Sequence, residues 1–488
     1  MNYFKFNRIA ISPLVAFAMF FVGGCATGPN KLKDIESLQH FVNGNDVLSL
    51  GALEEANKGI ENRDLPYYLN KSTLLRIGAT KDLESSSKNL LQVDANIDNW
   101  ISEATLNLNK STNDFATYLI ANKQKNTYEL KDFEKSMVGY YLALNYALTG
   151  SIEKAFVGAK KIAERETIIN RFNERKVVAI QARESDEQKK GSPVFSSLNE
   201  IKGYPINLLD SPEVGALKNS YQNAAAHFLA GYIFEANNEP GLSAPGYRQS
   251  LELKPGTQLF SDSLSNLDKN IARRGENKNT SDVLVVMETG NVPRISTHRS
   301  NFTLNLKKGT RIATIRLPVM GQSINTFRPT SIRIGMETIP LVQVANIDAM
   351  ARRQLKDDMP THVLKATTQA FVQIIAQEAA QAAAEKNKNS NSGLAGAFAA
   401  IAVGAALSVG DADERMWSNL PGAINMGRSR MNKGMTNISV PTPSGLVTIP
   451  VNINQDYQVV YIRTLGARAF LTSANEIEMS KLALLLAK

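Results

Sequence analysis

Cysteine is all but missing, with one in 488 residues, at position 25. A disulfide framework within the chain is therefore excluded, and so is a cysteine-rich zinc site, which needs several thiolates close together. Histidine is nearly as scarce, and His40, His227, His298 and His362 stand at no metal-ligand spacing. The H-E-x-x-H motif and the phosphate-cradling G-x-x-x-x-G-K are absent. Gly241-Leu242-Ser243 continues into Pro245 where a nucleophile elbow needs glycine. Ser151 to Lys154 matches S-x-x-K without a companion motif. These absences leave no expected catalytic residue, metal ligand or cofactor, and the chain reads as a non-enzyme.

Long apolar runs are confined to two places. The first, residues 9–24, follows Lys5 and Arg8 and ends in Val22-Gly23-Gly24-Cys25. A basic start, an apolar middle and small residues before a cleavage point describe a secretory signal peptide over 1–24. The run is shorter than the roughly 20 residues of a span, and Pro13 interrupts it. Its last four residues resemble the bacterial lipobox, which implies that Cys25 becomes the lipidated first residue of the mature chain. A single thiol used for anchorage explains the count of one. Stable anchoring needs more than one acyl chain, at about 0.8 kcal/mol per buried CH₂, and the two or three chains of a lipoprotein supply this. Ala26 follows, and in similar lipoproteins the absence of Asp there implies the periplasmic face of the outer membrane. The formal charge of +9 then points to anionic wall polymer or lipid headgroups rather than nucleic acid.

The mature chain is long enough for two domains, and its pattern changes near residue 278. Residues 25–275 read as a helical array. Ala143, Tyr146, Gly150 and Ala155 fall at the relative positions of a tetratricopeptide-like hairpin, as do Gly231, Phe234, Ser243, Tyr247 and Pro255. A weaker pair lies around Leu69 to Val93. The segment that starts at Arg165 predicts a longer charged, solvated helix ending at Gly191.

Residues 280–475 read as an α+β domain with a small mixed sheet. Val-, Ile- and Thr-rich runs from 282 to 344 predict strands of one half-buried sheet, with alternation at Phe302, Leu304, Leu306 and at Ile332, Ile334, Met336. A helical insert is expected over 346–430. Asn346 caps its first helix, Pro360 restarts it, and Val363, Leu364, Ala370, Phe371, Ile374 and Ile375 form a stripe wide enough to pack on both sides. Two more strand-like runs follow, one from Asn437 to Ile453 that contains a hairpin loop at 441–445 and one from Tyr457 to Leu465.

The second apolar run, Gly393 to Gly410, carries small residues at every fourth position: Gly396, Ala400, Gly404 and Ser408. Such a stripe lets another helix approach closely, so a buried helix, a homo-oligomer interface and a membrane-inserted segment are three readings of it. Next come Asp411, Asp413, Glu414, Arg415 and Trp417. Paired carboxylates serve acid and base chemistry when burial separates their pKa values, which keeps a peptidoglycan-acting enzyme or binder as an alternative. Acidic residues in a first helical turn, with Trp417 in a core gap, are the simpler reading.

Four stretches, which begin at Tyr140, His227, Val292 and Ala412, resemble a conserved family of proteobacterial lipoproteins with a tetratricopeptide-like helical half. Members are often encoded beside small lipoproteins similar to activators of penicillin-binding proteins, which implies work near peptidoglycan synthesis, and the family carries over no established activity. The expectation is a lipid-anchored envelope scaffold that binds other envelope proteins, with Tyr140, Tyr141, Phe234, Arg415 and Trp417 as contact candidates. An accessory subunit of an envelope secretion or surface assembly is a further alternative. Cys25→Ser should abolish incorporation of radiolabelled fatty acid and release the protein from the membrane fraction; sedimentation unchanged from the parent would contradict the anchor.

Overall fold

The computed structural model describes residues 29–79, 81–120, 128–189, 198–273, 279–306, 309–323, 327–387 and 412–473. Cys25, Asp411 and the 393–410 stretch lie outside them. The fold is α+β, with a helical half followed by a sheet-containing half.

The helical half pairs its elements as hairpins: α1 (Pro29–Val42) with α2 (Asp46–Ala56), α3 (Leu65–Ile77) with α4 (Leu83–Leu108), α6 (Asp132–Leu148) with α7 (Ile152–Lys189), and α9 (Ala224–Ala236) with α10 (Pro240–Leu253). Helix α5 (Thr112–Ile120) packs on α7, and α8 (Pro212–Gly215), α11 (Gln258–Ser265) and α12 (Leu267–Ala272) complete the half. Side-chain caps start several of them. Asp64 accepts from the Leu65 N–H, Asp82 from Ser85 and Asn223 from Ala225.

Each hairpin crosses at small residues. Ser37 and Ser49 exchange hydroxyl-to-carbonyl bonds of 2.7 Å, and the Ser86 hydroxyl donates to the Ser72 carbonyl at 2.8 Å. Gly158 lies against the Ala143 backbone, and a Cβ at Gly231 would meet the Tyr247 ring at 2.7 Å. The two repeat-like copies expected from the sequence are thus the hairpins α6–α7 and α9–α10.

Eleven strands follow among the described residues: β1 (Thr280–Thr289), β2 (Ile295–Leu306), β3 (Gly309–Met320), β4 (Ser331–Ile334), β5 (Glu337–Pro340), β6 (Val342–Asn346), β7 (Ala423–Asn432), β8 (Gly434–Thr442), β9 (Gly445–Ile453), β10 (Tyr457–Leu465) and β11 (Arg468–Thr472). They form three sheets, ordered β11-β10-β1-β7-β6, β5-β4-β8-β9 and β2-β3. In the first, β1 runs parallel to β10 and antiparallel to β7. Both faces of β1 are covered, which explains its unbroken apolar run. Leu284 and Val286 join the core shared with the helices, while Val283, Val285 and Met287 pack with Ile332, Ile334, Ile438 and Val451 of the four-stranded sheet.

Four expectations are corrected. The runs over 282–344 do not make one sheet but divide among three, because β2–β3 and β4–β5 are local hairpins that pair away from β1. Met336 is 99 % exposed, since it follows Gly335 (φ 58°) in the β4–β5 turn. Helix α13 (Ile347–Asn387) runs through Pro360 instead of restarting there; Asn346 does cap it, accepting from the Ala349 N–H at 3.0 Å. The insert expected over 346–430 contains β7, a central strand. Gly427 breaks its apolar alternation because the Pro340 carbonyl passes where a Cβ would stand.

Buried charges fasten the helices to the sheet. At one end of β1, Arg428 pairs with Glu235 of α9 at 2.5 Å and with Asp282 at 2.7 Å. Tyr247 donates to Glu235 at 2.6 Å, and Tyr232 to the Asp282 carbonyl at 2.6 Å. At the other end, Glu288 accepts 2.8 Å bonds from Tyr141 of α6 and Tyr461 of β10. The Arg76 guanidinium of α3 lies 3.8 Å from the Tyr141 ring centroid. Within the array, Asp94 of α4 meets Arg165 of α7 at 2.6 Å and Lys161 at 2.7 Å.

Two outcomes follow. Arg428→Ala strands two buried carboxylates and should cost about 3–5 kcal/mol, read from denaturant midpoints. Burial alone would raise the Asp94 carboxyl, but Arg165 and Lys161 more than reverse this and hold it below its ordinary value of 3.8. A depressed folded-state pKa adds stability above the ordinary value that is lost as pH falls through the lower folded one. The stability lost in Asp94→Asn should therefore be evident at neutral pH and shrink below about pH 4; a loss independent of pH would contradict the pairing.

Candidate interaction groove

Four of the five sequence-derived contact residues lie in the core, and Arg415 is half-buried. Tyr140 and Tyr141 are fully buried and Phe234 is 7 % exposed, so all three are corrected from contact anchors to core. Tyr141 packs on Trp417 with ring centroids 5.3 Å apart, and Phe234 on Phe156 at the same separation. Trp417 is also fully buried. Its backbone N–H donates to Glu134 at 2.8 Å and its indole N–H to Thr73 at 3.0 Å. Periodicity marks the apolar face of a helix but not the distant segment that covers it.

The acidic segment has no helical turn; 412–417 are irregular. Asp413 accepts from Arg415, which also pairs with Asp64. Burial would raise the Asp413 carboxyl, but Arg415 and Lys131 outweigh it and lower it. Glu414 pairs with Lys31 at 2.8 Å and accepts from Thr297 at 2.9 Å. These two carboxylates and Arg415 tie the segment to α1, α3 and β2. Among the described residues no three His, Cys, Asp or Glu side chains form a metal-holding group, and no described helix is long and apolar enough to cross a membrane.

Two cavities stand out. One, of about 380 Å³, lies where β1 and β3 end and α13 begins. Its wall is braced by Arg352, which bonds Asp348 at 2.8 Å and the Gly321 carbonyl at 2.8 Å.

The larger, about 550 Å³, is a groove between α7 and α13, floored by the 198–210 segment. On α7, Lys176, Val177, Ile180, Gln181, Glu184 and Gln188 share one helical face. On α13 the wall is Lys356, Asp357, Met359, Pro360, Thr361 and Val363, and the floor is Leu198, Ile206, Leu209 and Asp210. Ile180, Leu209, Met359 and Val363 are buried at its base, whereas Val177 is 51 % exposed.

Ion pairs bridge the walls and the floor. Lys176 joins Asp358 across the groove at 2.6 Å, and Lys356 joins Asp210 at 2.6 Å. The Tyr204 hydroxyl holds the floor to the Pro318 carbonyl at 2.9 Å. Asp357 is engaged by Arg353 at 2.9 Å. Glu184 has no ion pair among the described residues, and burial pushes its carboxyl above its ordinary value.

The described lining combines a buried apolar base with polar edges. The sequence reading missed it by treating α7 as a solvated charged helix. The one available signal was Val177-Val178, two adjacent β-branched residues inside a charged run. No protein-family model, curated protein or solved structure matches this chain.

Proposed function

We propose that the protein is a lipid-anchored scaffold of the cell envelope, which holds another envelope protein along the groove between α7 and α13. The groove is the observation that carries this reading. It is apolar at its base, open at its rim, and walled by two of the longest helices in the fold. Beside the half-exposed Val177, the partly exposed Leu198 and Ile206 and the exposed Pro360 form an apolar strip with a polar rim, which supports a docking role.

The anchor rests on the lipobox-like Val22-Gly23-Gly24-Cys25 and the apolar run before it. Cys25 precedes α1, which begins at Pro29, by four residues (29 − 25). That length reaches at most about 14 Å, so a lipid at Cys25 would hold the helical half close to the bilayer. The resemblance to proteobacterial lipoproteins often encoded beside small lipoproteins similar to penicillin-binding-protein activators supports a partner near peptidoglycan synthesis.

A photo-crosslinking side chain at Val177, with a control at the exposed Met336 on the four-stranded sheet, tests this in cells. The Val177 position should yield a covalent product with an envelope protein that the Met336 position does not. No product at Val177, under conditions where another lipoprotein captures its own partner, would contradict the scaffold.

A further inference from the structure

We infer that the occupant of the α7–α13 groove is a basic amphipathic helix, which lays apolar side chains on the accessible Val177, Leu198 and Ile206 and brings a lysine or arginine to Glu184. This rests on the scaffold reading and adds the chemistry of the partner.

The groove's charges decide the sign. Glu184, Asp210 and Asp357 line it against Lys176 and Lys356, an acidic balance within a chain of formal charge +9. Both ammoniums are already used, by Asp358 and Asp210, and Asp357 is engaged by Arg353. Glu184 alone among the groove's described charges is left over. An apolar partner without a cation would bury that carboxylate unpaired, which is strongly unfavourable, and an acidic partner would add repulsion. The charge left over in the groove is thus an acceptor, and the partner must present a donor to it.

The shape selects a helix. Residues 176, 177, 180, 184 and 188 on α7 lie along one face that faces α13 across the trough. An amphipathic helix with apolar residues three and four apart fills such a trough, as in other helix-in-groove contacts.

The probe is a fluorescent synthetic peptide of about five helical turns, with leucine on one face and lysine on the other, titrated by anisotropy into the full mature chain. Matched peptides carry glutamine or glutamate in place of lysine. The lysine peptide should saturate one site and bind about tenfold tighter than the glutamine peptide, and the glutamate peptide should bind more weakly still. Glu184→Gln, a half-buried position inside α7, with folding checked by circular dichroism, should remove most of that tenfold preference. Val177→Arg should abolish saturable binding. Equal affinity for the lysine and glutamine peptides, a preference unchanged in Glu184→Gln, or binding that survives Val177→Arg would each overturn the inference. A crosslinked envelope protein at Val177 together with any of these results would leave the scaffold standing and reject only the basic helix.

Discussion

The buried pairs Arg428–Glu235 and Arg428–Asp282, with Glu288 between Tyr141 and Tyr461, decide how the two halves of the molecule sit together. Taking such charges out of water is costly, and only good geometry with further hydrogen bonds compensates it. These contacts supply directional matching that an all-apolar interface would lack. The consequence reaches the groove. Helix α7 is packed within the helical array, on α6, α5 and α9, while α13 emerges from β6 and lies on β3. One wall belongs to each half, so the width of the trough is set by how the array is docked on the sheet. The Lys176–Asp358 contact then trims a spacing that the buried charges have established.

The parts legible in the sequence were those whose cause is local. Hairpins need small residues where their helices cross, and Gly231 facing Tyr247 and Gly158 facing Ala143 put that requirement into the residue pattern. Asn346 as a cap and the turn between β8 and β9 were readable for the same reason. The parts that were not legible have causes elsewhere in the chain. Strand β7 carries Gly427 because a distant backbone passes over it, and Arg428 because a helix almost two hundred residues earlier supplies its carboxylate. Neither looks like a strand interior when read alone. Tyr141 and Phe234 were expected as contact anchors, but they are covered by Trp417 and Phe156 from other segments.

The groove itself was hidden by the same distinction. Lys176, Glu184 and their neighbours on α7 resemble a solvated charged helix, and most such runs are solvated. Only the approach of α13 and the 198–210 segment turns one face into a wall, and no periodicity records it. Pro360 was visible, yet its effect was misjudged. A proline inside a helix forfeits one hydrogen bond, and α13 continues because Met359, Val363 and Leu364 are buried on either side of it.

The central claim is that buried charge at the sheet fixes the distance between the groove's walls. Spin labels at Gln181 and Thr361, introduced as cysteines in a chain with Cys25 replaced, report that distance by pulsed electron paramagnetic resonance. The parent should show one narrow distribution, and an Arg428→Met variant that keeps its helical content should show a broadened one. A distribution as narrow in the variant as in the parent would contradict the account.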